Sequence, residues 1–446
     1  MTALIKEDNA YVAAFAQALQ VQSNEPAWLR EFRETSFARF QSIGFPTVEE
    51  EEWKYTNVAS IARSSLAPVV HLNGTALTRE GLRAWAYAEA PARLVFVNGI
   101  LRRDLSSLDE LPDQILALDL NAAVNDERFE KAIRDFFERR GAAANGFVAL
   151  NNALFAGGLF LQLQRNAVVK APIHLLFVAE TLAGARPAAA PRVLVQAEAN
   201  STATIIESYA SLGEGAYLTN AIIDFAVEDS AQLQHYKVQR ESGAGFHIAA
   251  TNAVLGSKAK YETTSINLGA AISRHNIDVV MNHEGAECAV DGLYMIEGSQ
   301  HTDTHSVIDH RRPQCTSRQL YKGILDGKSR AVFNGKVFVR HGAQQTDAQQ
   351  TNKNLLLSKE AQVDTKPQLE IFADDVKCTH GAAVGQLEED ELFYLESRGI
   401  NPALARNILT YGFAEEVIER IKIDSIRREL DEAVLNRLHS ELQIEQ

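Results

Sequence analysis

Cysteine is scarce. The 446 residues contain three, Cys288, Cys315 and Cys378, and no CxxC pair. That excludes a disulfide framework and fits a reducing compartment. Positive charge is also in short supply: 44 Lys and Arg stand against 58 Asp and Glu, a formal charge of -14. A chain of that sign repels phosphate backbones, so no nucleic-acid partner is expected. No uninterrupted run of about 18 apolar residues occurs, so no membrane span is expected. The opening MTALIKEDNAYVAAFAQAL has neither the basic n-region and apolar h-region of a signal peptide nor the Arg- and Ser-rich, acid-poor pattern of a transit peptide. With 46% hydrophobic and 23% charged residues, the expectation is an ordinary globular protein of the cytoplasm, with a large core.

What is present falls into three zones of periodicity. Residues 1–144 read as mainly helical. AWLREFRETSFARFQSIG puts Trp28, Phe32, Phe37 and Phe40 along one helical face. FPTVEEEEWKY offers Thr47 and Glu50 as a capping box, and its four glutamates read as a solvated helix start. FEKAIRDFFERRG reads as an amphipathic helix ending at Gly141. From 145 to 385 the period changes to two, in short runs such as IHLLFVAE, RVLVQAEA, QLQHYKVQ and AVFNGKVFV. No helix-length pattern separates them, which excludes βαβ layering. A polar turn, a small residue and an apolar strand recur at EANSTA, VEDSAQL, LGSKAKY and HEGAECA, about every 28 residues. Such repetition marks a β-solenoid, whose coils bury their inner faces against one another. From 386 to 446 the period is helical again. Gly399 and Gly412 are expected helix C-caps and Asn401-Pro402 an expected helix start. Ile426, Leu430, Val434, Leu438 and Leu442 form a stripe that needs a surface, on this chain or on a partner.

Three stretches look like chemistry. GILDGKSRA (323–331) resembles a phosphate-binding loop, but it is one residue short between its glycines and is followed by a strand instead of a helix. It reads as a turn. In SQHTDTHSVIDH, His301, Asp303 and His305 share one strand face, with Asp309 and His310 beyond. Two imidazoles and a carboxylate would suit iron or zinc and a stand-alone metal enzyme; on a solenoid's polar outer face they would simply hydrogen-bond. In DDVKCTHGAAVG, Cys378 and His380 likewise project together. They could be half of a metal site, a nucleophile with its base, or two polar side chains of a sheet. No nucleophile-elbow or papain-like sequence surrounds the thiol. Three scattered thiols cannot hold an iron–sulfur cluster unaided, which takes about four.

The segments GFPTVEEEEWKYTN, FVALNNALFAGGLFL, DTHSVIDHRRPQCTSRQLYKGILDGKSRAVFNGKVFV, AQQTDAQQTNKNLLLS and EIFADDVKCTHGAAVGQLEEDELFYLESRGI together resemble the SufB/SufD family, on its SufD side. This family belongs to the SUF machinery that assembles iron–sulfur clusters, and the resemblance covers essentially the whole chain.

The resemblance implies a mainly β protein: a right-handed parallel β-helix flanked by N-terminal and C-terminal helical regions. It implies a subunit that is not an enzyme alone. Such a subunit pairs with SufB through the β-helix and with the ABC-type ATPase SufC through the C-terminal helices, in a complex of one SufB, two SufC and one SufD. His380 matches the family histidine that faces SufB and is implicated in cluster formation or iron entry, with Cys378 beside it. Tyr394, Arg398, Ile400 and Asn401 fall in the ATPase-binding segment. Where SufB-like sequences carry Glu-His-Glu, this chain has Thr379, His380 and Gly381, and Lys353 stands where they carry a scaffold cysteine. The thiolate and carboxylates of a site would therefore come from SufB. No cofactor is expected to be held stably by this chain alone; iron or a cluster would sit transiently at the interface, with His380 as a shared ligand. No flavin fingerprint is present. A β-helix edge able to pair with a paralogue can also pair with itself, which leaves a homodimer open for the chain alone.

Overall fold

The computed structural model describes residues 10–72, 74–139, 145–181 and 184–444. Its centre is a parallel β-solenoid. Each coil gives one strand to each of two sheets, so Tyr217–Val227 lies in one and Gln232–Gln239 in the other. Neighbouring coils pair in parallel: Phe246 with Ile272 and Arg330 with Gln362 in the first sheet, offsets of 26 and 32 residues. The expected period of about 28 falls within that range.

The recurring turn signature has a physical cause. Asn200, Ser230, Lys258, Gly285 and Gln314 occupy equivalent corners, each with φ between 54° and 70°. The stacked corners bond to one another, Ser230 N to Ser257 O at 2.8 Å and Lys258 N to Glu284 O at 3.0 Å. The small residue that follows each corner, Ser201, Ala231, Ala259, Ala286 or Cys315, is fully buried. Only a small side chain fits this inner corner, which gives Cys315 a packing role. GILDGKSRA is a turn, with Gly327 in the left-handed region between the strands Thr316–Leu325 and Arg330–Val339.

The two ends of the solenoid differ. At the first, the strand Arg93–Val97 pairs antiparallel with Ile100–Arg102, and Ile115–Asp119 pairs antiparallel with Leu159–Leu163. Three of these, Arg93–Val97, Ile100–Arg102 and Ile115–Asp119, lie inside the zone read as mainly helical. The run Leu94–Val97 is completely buried and extends the second sheet by pairing with Ile173–Glu180. The helices Ala10–Val21, Ala27–Ile43, Glu130–Arg139 and Gly146–Leu154 complete this region; Gly141 lies outside the described residues. At the other end the strands Gln362–Ile371 and Val376–Gly385 are the last of their sheets, and most of their residues are partly or fully exposed.

The C-terminal helices lie on the outer face of the second sheet. Ile426, Leu430 and Val434 pack with Ile421 and Ile423 against Ile206, Tyr236, Leu293 and Leu320, each buried aliphatic contributing about 1.5–3 kcal/mol. The stripe read from the sequence thus covers this chain's own sheet; the side chains of Leu438 and Leu442 lie outside the described residues. Gly399 (φ 84°) follows the helix Glu389–Ser397 as expected. Gly412 does not end a helix: Pro402–Ile418 runs through it. The packing of Ala414, Val417 and Ile418 on the solenoid outweighs the roughly 1 kcal/mol that a mid-helix glycine costs. Among the described residues no helix is long and apolar enough to cross a membrane.

Candidate functional site

The exposed last coil carries Cys378 and His380. The side chain of Cys378 packs against the solenoid interior, so strand alternation directs His380 to the same inner side. They face the open end of the core, in register with Ala348 and Gln350 of the preceding coil. His380 is exposed and takes no hydrogen bond among the described residues. Cys378 is half-buried, and burial pushes its thiol pKa up, away from the reactive thiolate. Among the described residues no three His, Cys, Asp or Glu side chains converge as a metal-ligand group. Lys353 points outward, 3.8 Å from Glu416 of the C-terminal helices, and does not share the face of His380.

The C-terminal candidates separate by role. Tyr394 is exposed, with the guanidinium of Arg398 5.0 Å over its ring. Asn401 caps the helix Pro402–Ile418, its Oδ1 accepting the Leu404 amide at 2.8 Å. Ile400 is half-buried. What the sequence reading missed is the apolar company: Phe393 is 71% exposed, and Leu404 and Ile408 nearly half. Together with Tyr394 they expose large apolar side chains on two successive helices.

His301, Asp303 and His305 do share the outer face of the first sheet, but they do not surround an open ion position. The N-terminal segment 50–56 lies across them. Asp303 is fully buried and held by Arg274 Nη1 at 2.7 Å, by the Thr56 hydroxyl and by His305 Nε2 at 3.1 Å. His301 Nε2 lies 2.9 Å from Thr56 Oγ1. His305 Nδ1 lies 3.1 Å from Glu52 Oε2, so both its ring nitrogens face carboxylates. The guanidinium of Arg274 stacks 3.8 Å over Trp53, and Glu51 reaches Lys366 at 3.0 Å. The metal-enzyme reading of this trio is therefore replaced by a clamp. The glutamate run is likewise more than a solvated helix start, although Glu50 Oε1 does accept the Thr47 amide as the capping box requires. Beside the clamp a cleft of about 400 Å³ opens, lined by Trp53, Arg274, Asn276, His305, Asn334 and Lys336.

The clamp is pH-dependent. Burial opposes protonation of His305, but Asp303 and Glu52 outweigh it and hold its pKa above the ordinary histidine value. The stability it confers is complete below the unfolded value, about 6.5, and is lost as pH rises through the raised folded value. His305→Gln is expected to cost about 1.5–3 kcal/mol near the acid side of neutrality, with the gap to wild type closing in alkali. Urea titrations across that range test this; a gap independent of pH would refute the clamp.

A second polar cluster lies inside the solenoid. Glu207, His235, Lys237, Glu241 and His247 are each no more than 3% exposed. Lys237 Nζ lies 2.7 Å from His247 Nε2 and 3.5 Å from Glu207 Oε1, and 4.0 Å over the ring of Tyr209. His235 Nε2 meets Glu207 Oε2 at 2.8 Å, and His247 Nδ1 meets Glu241 Oε2 at 2.6 Å. Burial raises the Glu207 pKa, yet Lys237 and His235 outweigh it and keep this carboxylate ionised. Desolvation lowers Lys237.

Comparison with known proteins accounts for almost the whole chain. Residues 5–175 match the SufBD protein N-terminal region, and residues 179–413 match the SufBD core domain of the SUF system for FeS cluster assembly. An iron–sulfur cluster assembly SufBD family protein of Synechocystis is 34% identical over 94% of this chain and 94% of its own length. The iron–sulfur cluster assembly protein SufD of Escherichia coli is 33% identical over 89% of this chain and 90% of its own. The protein of the same name from Bacillus subtilis is 26% identical over 95% and 96%.

Proposed function

The chain belongs to the SufBD family of the SUF iron–sulfur cluster assembly system, and from that premise we propose that it is a non-catalytic cytoplasmic subunit of an assembly complex. It pairs through its bare last coil with a SufB-type paralogue. Through the exposed faces of its C-terminal helices it binds a SufC-type ATPase, in a complex of one SufB, two SufC and one SufD-type chain. Iron or the nascent cluster is cargo at the seam, not a resident cofactor.

The observation that carries this reading is the asymmetry of the solenoid. Coils stay soluble only when their terminal faces are covered, and here one end closes on short antiparallel strands while the other leaves two ten-residue strands and an inner row open. A bare edge of that length is a template for another strand. His380 stands on that row, and a neutral imidazole is a sound ligand for iron or zinc. With the Cys378 thiol disfavoured as a thiolate and Lys353 turned away, thiolate and carboxylate ligands come from the partner.

Native mass spectrometry with metal analysis, on tagged chain purified anaerobically from its own cytosol, tests the proposal. The expected species contains a paralogue and two copies of an ATPase. A lone chain carrying one equivalent of metal would overturn it.

A further inference from the structure

The inner row below His380 is built from side chains that hold one another in place. Gln350, 2% exposed, is the Cα partner of His380. Its Nε2 donates to Gln319 Oε1 at 2.6 Å, and Gln319 Nε2 donates to Ser306 Oγ at 2.8 Å. Room for this ladder comes from Gly335, where a Cβ would stand 2.2 Å from Gln350 Nε2. With its amide nitrogen so committed, Gln350 is left with a buried Oε1 that has no partner among the described residues. A buried acceptor without a donor costs about 1–3 kcal/mol. On the neighbouring strand, whose backbone runs about 4.8 Å away, His380 carries an exposed imidazole with no hydrogen bond among the described residues.

We propose that Gln350 is a positioning residue for His380: its Oε1 accepts one imidazole N–H and thereby fixes the tautomer that leaves the other ring nitrogen's lone pair directed at the open end, toward an incoming iron or zinc ion. The inference rests on the reading of His380 as a donor at the seam. Histidine ligands commonly depend on such a contact, which sets both ring orientation and basicity. Gln350 itself touches no cargo.

The test reads the tautomer directly and does not require cluster assembly. Long-range ¹⁵N–¹H spectra of the full chain, labelled at histidine and recorded above the histidine titration range, identify the His380 signal by its loss in His380→Ala. A single tautomer is expected in wild type. Gln350→Leu, which removes the acceptor, is expected to give a mixture resembling free imidazole. Gln350→Glu keeps an acceptor, since the Gln319 amide can turn over to donate to it and Ser306 can donate to Gln319, and is expected to restore the single tautomer. A mixture in wild type, or an unchanged single tautomer in Gln350→Leu, would overturn the proposal. In the reconstituted complex, Gln350→Leu is expected to slow cluster formation about 10- to 100-fold with Gln350→Glu recovering most of it. Equal rates in all three would also overturn it. Normal assembly with His380→Ala would instead remove the donor reading, while the tautomer result stands or falls separately.

Discussion

His380→Ala is expected to abolish cluster formation by the assembled complex while leaving the folding stability of the chain within about 0.5 kcal/mol of wild type. The two halves of that result have separate causes. The ring is exposed at the edge of the last coil and bonds to nothing among the described residues, so the fold loses little without it. Its chemistry has no substitute nearby: Lys353 is turned toward Glu416 on the outer face, and burial disfavours the Cys378 thiolate. Cys288→Ser makes a useful contrast. Cys288 is buried in the core away from the bare end, and this change should leave assembly intact. Absorbance of the reconstituted cluster and the activity of cluster-dependent enzymes in cells provide the measurement. Normal cluster supply with His380→Ala would remove this residue from the site.

Glu207→Ala is expected to destabilise the fold by about 3–5 kcal/mol, read as a fall in the denaturant midpoint. The carboxylate lies between Lys237 and His235 at full burial. Without it the ammonium keeps its desolvation cost and loses its nearest opposite charge. The pH dependence follows from the sign of the shift. The folded pKa of Glu207 is depressed, so its stabilisation is present above the unfolded value, about 4.3, and is lost as pH falls through the folded value. The gap between wild type and Glu207→Ala should therefore narrow in strong acid. Replacing both Glu207 and Lys237 by apolar residues should cost less than removing the carboxylate alone. A double variant as unstable as the sum of its singles would show that the two groups do not interact.

The solenoid was legible because its corners repeat. A left-handed position followed by a small buried residue leaves a compositional trace at Asn200, Ser230, Lys258 and Gly285, and period two marks the strands between. Cys378 and His380 were placed on one face by the same alternation. What alternation does not show is which face is inside. In QLQHYKVQ the polar set His235, Lys237 and Gln239 faces the core, while Tyr236 and Val238 face the C-terminal helices. Both faces of this strand are covered, so neither set had to be the wet one. The clamp was hidden for another reason. Glu52 and His305 are 253 positions apart, and each looks like an ordinary surface charge until the chain between them has coiled back. The strands at 93–97 and 115–119 were missed because segments this short carry too few periods to stand out among helices.

One bare end and one end closed on short antiparallel strands bear on stoichiometry. A rod exposed at both tips could add units without limit and form fibres, whereas here only one tip offers ten-residue unpaired strands. Two such chains joined tail to tail place their closing strands in opposite directions across the junction. Among the described residues, neighbouring coils in the body of the rod pair only in parallel, so such a junction would differ from every pairing within it. Both remaining tips would then carry only the short antiparallel strands, Ile100–Arg102 and Ile115–Asp119, and offer no edge of comparable length.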